Sequence, residues 1–273
     1  MQNKKHLQLK EILTTMGSVL VAYSGGTDST LVLKVAHDVL GDKVLAMTAV
    51  SASLPTADRA EAEQIARQIG VKHILVETEE TSDPEYLANA SNRCFFCKKE
   101  TYGKLTSYAE KHGFQVIVDG TNADDTGDYR PGRQAASEYH VRSPLLEAGF
   151  TKTEIRQLSK ELGLPNWDKP ATACLSSRIP YGTTITLEAL SQVERAEALL
   201  HGLGLRQLRI RHHGPVARIE VETDDFSRLL EHRNEIVTTL KSIGYTYVSL
   251  DLAGFRSGSM NDAIQKIPAE EGH

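Results

Sequence analysis

Four short apolar runs, each bounded by turn residues and separated from the next by a helical stripe, constrain the fold of this chain more than any other feature. They are VLVAY at 19–23, VLAMTAV at Val44–Val50, HILVE at 73–77 and VIV at Val116–Val118. Runs this continuously apolar need cover on both faces, which predicts buried parallel strands rather than a half-solvated antiparallel sheet. Between them, Leu31, Val32, Val35, Ala36 and Val39 fall on one helical stripe closed by Gly41. Ala62, Ile65, Ala66 and Ile69 make a second closed by Gly70, and Tyr102, Leu105 and Ala109 a third. Thr151 and Glu154 have capping-box spacing, with Ile155, Leu158 and Leu162 behind them and Gly163 then Pro165 closing the helix. The predicted fold is α/β, a parallel sheet with helices on both faces, over residues 1–165.

The pattern then changes. Residues 166–186 are rich in Pro, Ser, Thr and Gly and read as a linker and active-site segment. Beyond it the sequence predicts a helix over 187–200, strands over 205–211 and 216–222, a helix over 226–243 and a strand over Tyr247–Leu250. That order suits a smaller C-terminal α+β domain, 187–273, for substrate binding or oligomerisation, and a chain of 273 residues is long enough for two cores. A net charge of −5 gives no global attraction to a nucleic-acid backbone and favours small-molecule ligands. No stretch approaches the roughly 18 apolar residues of a membrane span, and the polar start MQNKKHLQLK has no signal-peptide run, so the expected location is the cytoplasm, away from membranes.

Ser24-Gly25-Gly26-Thr27-Asp28-Ser29 carries the strongest chemical signal, because it directly follows the first strand and opens the first helix. Two glycines let backbone approach phosphate oxygens, the helix start presents free N–H groups, and Ser24 and Ser29 add hydroxyls. Asp28 would repel phosphate unless a cation lay between them, so it reads as a magnesium ligand. The string lacks the lysine of a Walker A loop and the spacing of a dinucleotide fingerprint. It looks like the pyrophosphate loop of the ATP pyrophosphatases, which cleave ATP between its α and β phosphates.

Cys94-Phe95-Phe96-Cys97, followed by Lys98 and Lys99, and the separate Cys174 leave several readings open: a redox dithiol, half of a zinc site, an iron–sulfur site, or inert thiols. No second CxxC or spaced histidine pair completes a zinc set, whereas three thiolates suit a [4Fe–4S] cluster with one open iron. His212 and His213 are consecutive on a predicted strand and point to opposite faces, which argues against a shared metal.

Further strings carry a family resemblance. They are CFFCKK, Asp119-Gly120-Thr121-Asn122, Asp128-Tyr129-Arg130-Pro131-Gly132, Leu175-Ser176-Ser177-Arg178-Ile179-Pro180-Tyr181-Gly182-Thr183, Arg209-Ile210-Arg211, Leu250-Asp251-Leu252, and Gly254 through Asn261 (GFRSGSMN). With the phosphate loop they make the chain resemble the LarE family nearly end to end. The resemblance implies ATP-dependent sulfur transfer to pyridinium-3,5-biscarboxylic acid mononucleotide in the synthesis of the nickel-pincer cofactor of lactate racemase. A carboxylate is adenylated and its activated oxygen is replaced by sulfur. One form of the family surrenders a cysteine sulfur; the other holds a cluster on three cysteines. The sacrificed cysteine lies one position before Cys174, where this chain has Ala173, and with the CxxC this favours the three-cysteine form. Sacrificial transfer from Cys174, a tRNA thiolase and an amidotransferase of the same ATP-loop group stay open as alternatives.

The site residues implied are Ser24, Gly25, Gly26, Asp28, Ser29 and Gly120 for ATP and Mg2+; Cys94, Cys97 and Cys174 for the cluster; and Lys98 beside them for charge neutralisation. Ser177, Arg178, Arg209 and Arg211 are the substrate candidates, the last two sharing one strand face. A solvated Lys98 and a surface salt-bridge role for the arginines are the plainer alternatives. The implied partners are the pyridinium mononucleotide, a sulfide donor, and further copies of the chain in a trimer or hexamer.

Overall fold

The computed structural model describes residues 2–127, 132–170 and 172–256, and the chain divides into one unit drawn from Met1–Asp83 and Asn92–Thr172 and another from Pro84–Ser91 and Ala173–His273. The first unit runs α1 (Gln2–Thr15), β1 (Val19–Ala22), α2 (Thr27–Leu40), β2 (Val44–Val50), α3 (Thr56–Ile69) and β3 (Lys72–Glu77). After α4 (Pro84–Leu87), which is part of the second unit, it resumes with α5 (Arg93–His112), β4 (Val116–Val118), α6 (Gly132–Glu138), α7 (Pro144–Glu147) and α8 (Lys152–Glu161). Its sheet has the order β3-β2-β1-β4, and every neighbouring pair is parallel.

Strand parity sorts the side chains of this sheet into two cores. Val19, Val21, Val44 and Ala46 pack with Leu9 and Leu13 of α1, Leu31 and Val35 of α2, and Ile155 and Leu158 of α8. Leu20, Leu45, Met47 and Ile117 pack on the other face with Leu105 and Ala109 of α5. Cover on both faces is why the runs read as continuously apolar, and each buried Leu or Val side chain contributes on the order of 1.5–3 kcal/mol. The helix α1 was not expected from sequence: its segment is polar apart from Leu7, Leu9, Ile12 and Leu13. The capping box at Thr151 is present in full, with Thr151 Oγ1 accepting from the Glu154 N–H and the Glu154 carboxylate accepting from the Thr151 N–H.

Strand order fixes where a ligand can sit. The chain passes from β1 outward to β2 and β3, then places β4 on the opposite side of β1. The order therefore reverses at the carboxyl ends of β1 and β4, and the crevice of an open parallel sheet lies at such a point.

The second unit contains α9 (Leu187–Gly202), β5 (Leu208–His213), β6 (Val216–Val221), α10 (Phe226–Glu231), α11 (Arg233–Ile243) and β7 (Tyr247–Leu250). Its sheet has the order β5-β6-β7, with the first pair antiparallel and the second parallel. Leu208, Ile210, Ala217, Ile219 and Val221 form a core with Leu200, Ile236 and Leu240. The single helix expected over 226–243 is two, α10 and α11, meeting at His232 (φ −92°, ψ 9°). Residues 84–91 join this unit by side-chain and backbone bonds that composition does not reveal. Asn89, fully buried, donates through Nδ2 to the carbonyls of Ile179, Pro180 and Thr183, and the Gly182 and Ile185 N–H groups donate back to Asn89 and Leu87 carbonyls. Among the described residues no helix is long and apolar enough to cross a membrane.

Candidate active site

The phosphate loop is shaped by where a Cβ cannot go. Gly25 has φ +72°, and a Cβ there would lie 2.7 Å from the Ala62 Cβ of α3. Gly120, just past β4, is under the same constraint from the other side, because its Cβ would stand 2.7 Å from the Ser29 N atom and 3.1 Å from the Asp28 carbonyl carbon. Backbone from the two sides of the strand-order reversal thus touches directly. Gly26 differs: φ is −74° and its Cβ would meet only Ser24 Oγ at 3.4 Å. Gly26, the N-cap of α2, has no side chain to accept from the first-turn N–H groups, and Ser24 Oγ takes only the Gly26 N–H at 3.4 Å, so the positive end of this 14-residue helix faces the loop. Ser29 Oγ donates to the Gly26 carbonyl (3.2 Å), accepts from the Ser24 N–H (3.3 Å) and lies 3.1 Å from Ser24 Oγ, tying the loop to the first turn of the helix.

A buried amide holds the loop from beneath. Asn166 Nδ2 donates to the Gly25 carbonyl and to Thr30 Oγ1, both at 2.9 Å, while Thr27 Oγ1 donates to the Asn166 carbonyl at 2.9 Å. Tyr23, whose hydroxyl accepts from Thr30 at 3.5 Å, is pushed up to about 12 by burial. Asn166 opens a segment whose composition is that of a linker, and nothing in its local sequence points to Gly25, 141 residues earlier.

Asp28 meets a cation supplied by the protein. Lys152 Nζ lies 2.5 Å from Asp28 Oδ1, and Asn122 Nδ2 stands at a weak 3.5 Å from Oδ2. Burial raises the Asp28 carboxyl above the usual carboxylate range, with Lys152 opposing that shift and Asp125 adding to it. Lys152 carries no sequence signal of this role, because TKTE spells a helix cap and its lysine is simply the first residue of α8. The N–H of Lys152 is itself held by Asp124 Oδ2 at 2.8 Å.

Cys94 and Cys97 lie in the first two turns of α5 on one face; Cys94 is exposed and Cys97 half-buried. Lys98 places its ammonium 5.4 Å from the Tyr102 ring centroid. By surface area Lys98 is exposed, and neighbouring charge sets its direction: Tyr102 first, then Cys97, Asp119 and Cys94 hold it above the ordinary lysine range. Tyr102, pushed up to about 12 mainly by burial, donates to Asp119 Oδ2 at 3.1 Å. Asp119 also accepts from the Thr121 N–H, Thr121 Oγ1 and Ser143 Oγ, and it immediately precedes Gly120. Through Tyr102 and Asp119 the cysteine-bearing helix is thus joined to the phosphate loop within one unit.

The remaining candidates stand on the second unit. Cys174, half-buried, precedes a short turn, Leu175–Arg178. Arg178 and Glu197 form a buried two-pronged pair with both bonds at 2.9 Å, and Arg178 Nη1 also donates to the Ala173 and Cys174 carbonyls at 2.5 and 3.0 Å. The guanidinium therefore fixes the backbone that presents Cys174. Arg211 pairs with buried Glu220 and donates to the Ser177 carbonyl at 2.9 Å. Arg209 shares its strand face, as alternation requires, and lies 5.2 Å from the Phe255 ring centroid; burial first, then Arg178, lowers it to about 10. Leu208 and Ile210 fill the core on the opposite face, where His212 meets the Tyr245 hydroxyl at 3.2 Å. Among the described residues no three His, Cys, Asp or Glu side chains gather as a metal-holding group. The strings at 128–131 and 257–261 lie outside the described residues.

Comparison with known proteins adds lineage to this geometry. A family model described as asparagine synthase matches residues 10–199. The chain is 46% identical over 97% of its length to an uncharacterized protein of Synechocystis sp., of which it covers 100%. It is 41% identical over 96% of its length to the pyridinium-3,5-bisthiocarboxylic acid mononucleotide synthase of Lactiplantibacillus plantarum, of which it covers 95%. It is also 28% identical over 56% of its length to a tRNA-specific 2-thiouridylase of Treponema denticola, with half of that protein covered.

Proposed function

We propose a function from one premise: the chain belongs to the LarE family, sulfur-transferring enzymes built on the ATP-loop domain that the asparagine synthase model describes. Its reaction is ATP-dependent sulfur transfer to pyridinium-3,5-biscarboxylic acid mononucleotide. The observation that carries this reading is near-complete coverage of the L. plantarum synthase together with an uncapped helix start and glycine loop at the strand-order reversal.

The chemistry follows from the residues. A substrate carboxylate oxygen attacks the α-phosphorus of ATP and pyrophosphate leaves, giving an acyl adenylate. Sulfide then attacks the acyl carbon, the carbon–oxygen bond to AMP breaks, and a thiocarboxylate remains. The Gly25–Ser29 backbone and the start of α2 bind and orient the phosphates, and Ser24 and Ser29 hold the loop in register. Mg2+ rarely sits in an all-protein cage and usually takes one or two carboxylates plus phosphate oxygens, so the lone Asp28 carboxylate at this loop fits it. Bound there, it would supply positive charge to the phosphates. Lys98 suits neutralisation of the incoming anion. Arg209 and Arg211, on one strand face, suit the mononucleotide phosphate, with Ser177 and Arg178 shaping the segment around Cys174.

For the sulfur source we favour a [4Fe–4S] cluster on Cys94, Cys97 and Cys174. The pairing of Cys94 and Cys97 on one helical face supports this choice; a cluster with one open iron would supply a terminal sulfide. Substrate, ATP and a sulfide donor are small molecules, the expected location is the cytoplasm, and the active species is a homo-oligomer. The test is turnover of the anaerobically reconstituted protein with ATP and the biscarboxylate nucleotide. It should release pyrophosphate and thiocarboxylate while the mass of the Cys174 peptide stays unchanged. Loss of one sulfur from Cys174 would replace the cluster reading by sacrificial transfer. Pyrophosphate release only with tRNA or an ammonia donor would move the protein to the thiolase or amidotransferase branch.

A further inference from the structure

The ion pair inside the phosphate loop is open to exchange in a way that the other buried pairs are not. Asp28 and Lys152 side chains keep 25% and 31% of their surface exposed. The Arg178–Glu197 and Arg211–Glu220 pairs keep 8% or less on every partner. Lys152 Nζ stands on Asp28 Oδ1, the group that reads as the magnesium ligand. A carboxylate offers two oxygens and several lone pairs, so the conflict is one of charge: a magnesium dication and an ammonium held on one carboxylate stand within a few ångströms and repel each other. Whichever is bound weakens the hold of the other.

The rest of Lys152 is anchored. Its N–H is bonded to Asp124, and it is the first residue of a helix closed by the Thr151–Glu154 capping box, so only the flexible four-carbon stem can relocate. The charged groups around Asp28 are Lys152, Asp125 and Arg156, with Asn122 beside it. An ammonium released from Asp28 stands beside the uncapped start of α2, where phosphate oxygens would accept it.

Resting on the reading that this loop takes ATP with a divalent cation, we propose that Lys152 and the cation are alternative partners of Asp28, and that the ammonium passes to the nucleotide's phosphate oxygens when the cation takes the carboxylate. Nucleotide and metal then assist one another's binding reciprocally. Lys152 is in this scheme both a phosphate-binding residue and a brake on metal binding in the absence of nucleotide.

The experiment uses the full-length protein and Mn2+ as a paramagnetic probe, its binding read by electron paramagnetic resonance without nucleotide. Lys152→Met should bind Mn2+ about tenfold more tightly than wild type, the equivalent of roughly 1.4 kcal/mol for the removed competitor. Lys152→Arg should stay close to wild type, and adding Asp28→Asn to Lys152→Met should abolish the gain. In calorimetry with α,β-methylene ATP, Lys152→Met should lose about tenfold in affinity without metal and less with it, because Asp28 then faces the phosphates unneutralised. Circular dichroism melts verify that each variant is folded, and Lys152→Gln serves if the methionine variant is not. Equal Mn2+ affinity in wild type and Lys152→Met, or binding by Lys152→Arg as tight as by a tighter-binding Lys152→Met, overturns the exchange while leaving the loop as the nucleotide site. Failure of wild type to bind α,β-methylene ATP overturns the loop reading itself.

Discussion

Gly120→Ala tests the claim that the two sides of the strand-order reversal meet backbone to backbone. The added Cβ would lie 2.7 Å from Ser29 N and 3.1 Å from both the Asp28 carbonyl carbon and Ser29 Cα, whereas ordinary contact begins near 3.4 Å. All three neighbours are main chain, so nothing swings aside, and the start of α2 or the turn after β4 has to retreat by about 0.7 Å. Overpacking of this kind costs roughly 1–3 kcal/mol, which in a unit of this size lowers the melting midpoint by about 2–4 °C for each kcal/mol. The displaced atoms include the N–H groups proposed to hold phosphate, and a shift approaching 1 Å at such groups costs on the order of 100-fold in rate. Pyrophosphate release, followed in a coupled phosphate assay, should therefore fall about 100-fold in kcat/KM. Gly26→Ala is the internal control, since its Cβ meets only a serine hydroxyl at 3.4 Å and its φ of −74° suits alanine. It should keep its melting midpoint within about 2 °C of wild type. A Gly120→Ala protein with wild-type melting and wild-type kcat/KM would refute the reasoning.

Asn166→Ala strips two hydrogen bonds from the underside of the loop and leaves the Gly25 carbonyl without its donor; urea unfolding should show a loss of about 1–3 kcal/mol, with weaker nucleotide binding. Arg178→Ala leaves Glu197 charged and buried, and a loss of about 3–5 kcal/mol is expected in the same assay, with Arg178→Lys only partly restoring it because one ammonium cannot reproduce the fork. Asp28 gives a pH-dependent result. Its carboxyl is raised on folding, so between the unfolded value of 3.8 and the folded value the native state binds more protons, and stability falls as pH rises through that window. Asp28→Asn should therefore melt above wild type at pH 7, with the advantage shrinking as pH falls toward 4; a constant difference across that range would contradict the assignment.

How much of this was legible in sequence depends on the range of the interactions. The four parallel strands and the capping box at Thr151 were legible because burial on both faces and i to i+3 spacing are local patterns. The strand, glycine loop and helix start at 19–29 were legible as local geometry because their glycines, serines and apolar run are contiguous. Asn166 and Lys152 were not, since each acts on a loop more than 120 residues earlier and neither carries a local signature of that task. The arginines at 178, 209 and 211 stand out in the sequence, but Glu197 and Glu220, the buried partners of Arg178 and Arg211, sit in segments that read as ordinary helix and strand. The break at His232 also escaped notice, because no glycine or proline marks it.

The short insert 84–91 sets an order of events for the growing polypeptide. Its buried Asn89 answers to carbonyls at 179, 180 and 183, which leave the ribosome about 90 residues later. Until then, that piece of the second unit waits for the rest of its unit, whereas the first unit has its last strand by Val118 and its covering helix α8 by Glu161. A fragment ending near residue 172 would keep the four-stranded sheet and the phosphate loop yet carry an orphaned loop with a polar amide and nothing to receive it. The same threading passes the chain between the two units three times, so a single protease cut at any one of these points gives two fragments that share a folded unit and are held together by its non-covalent packing.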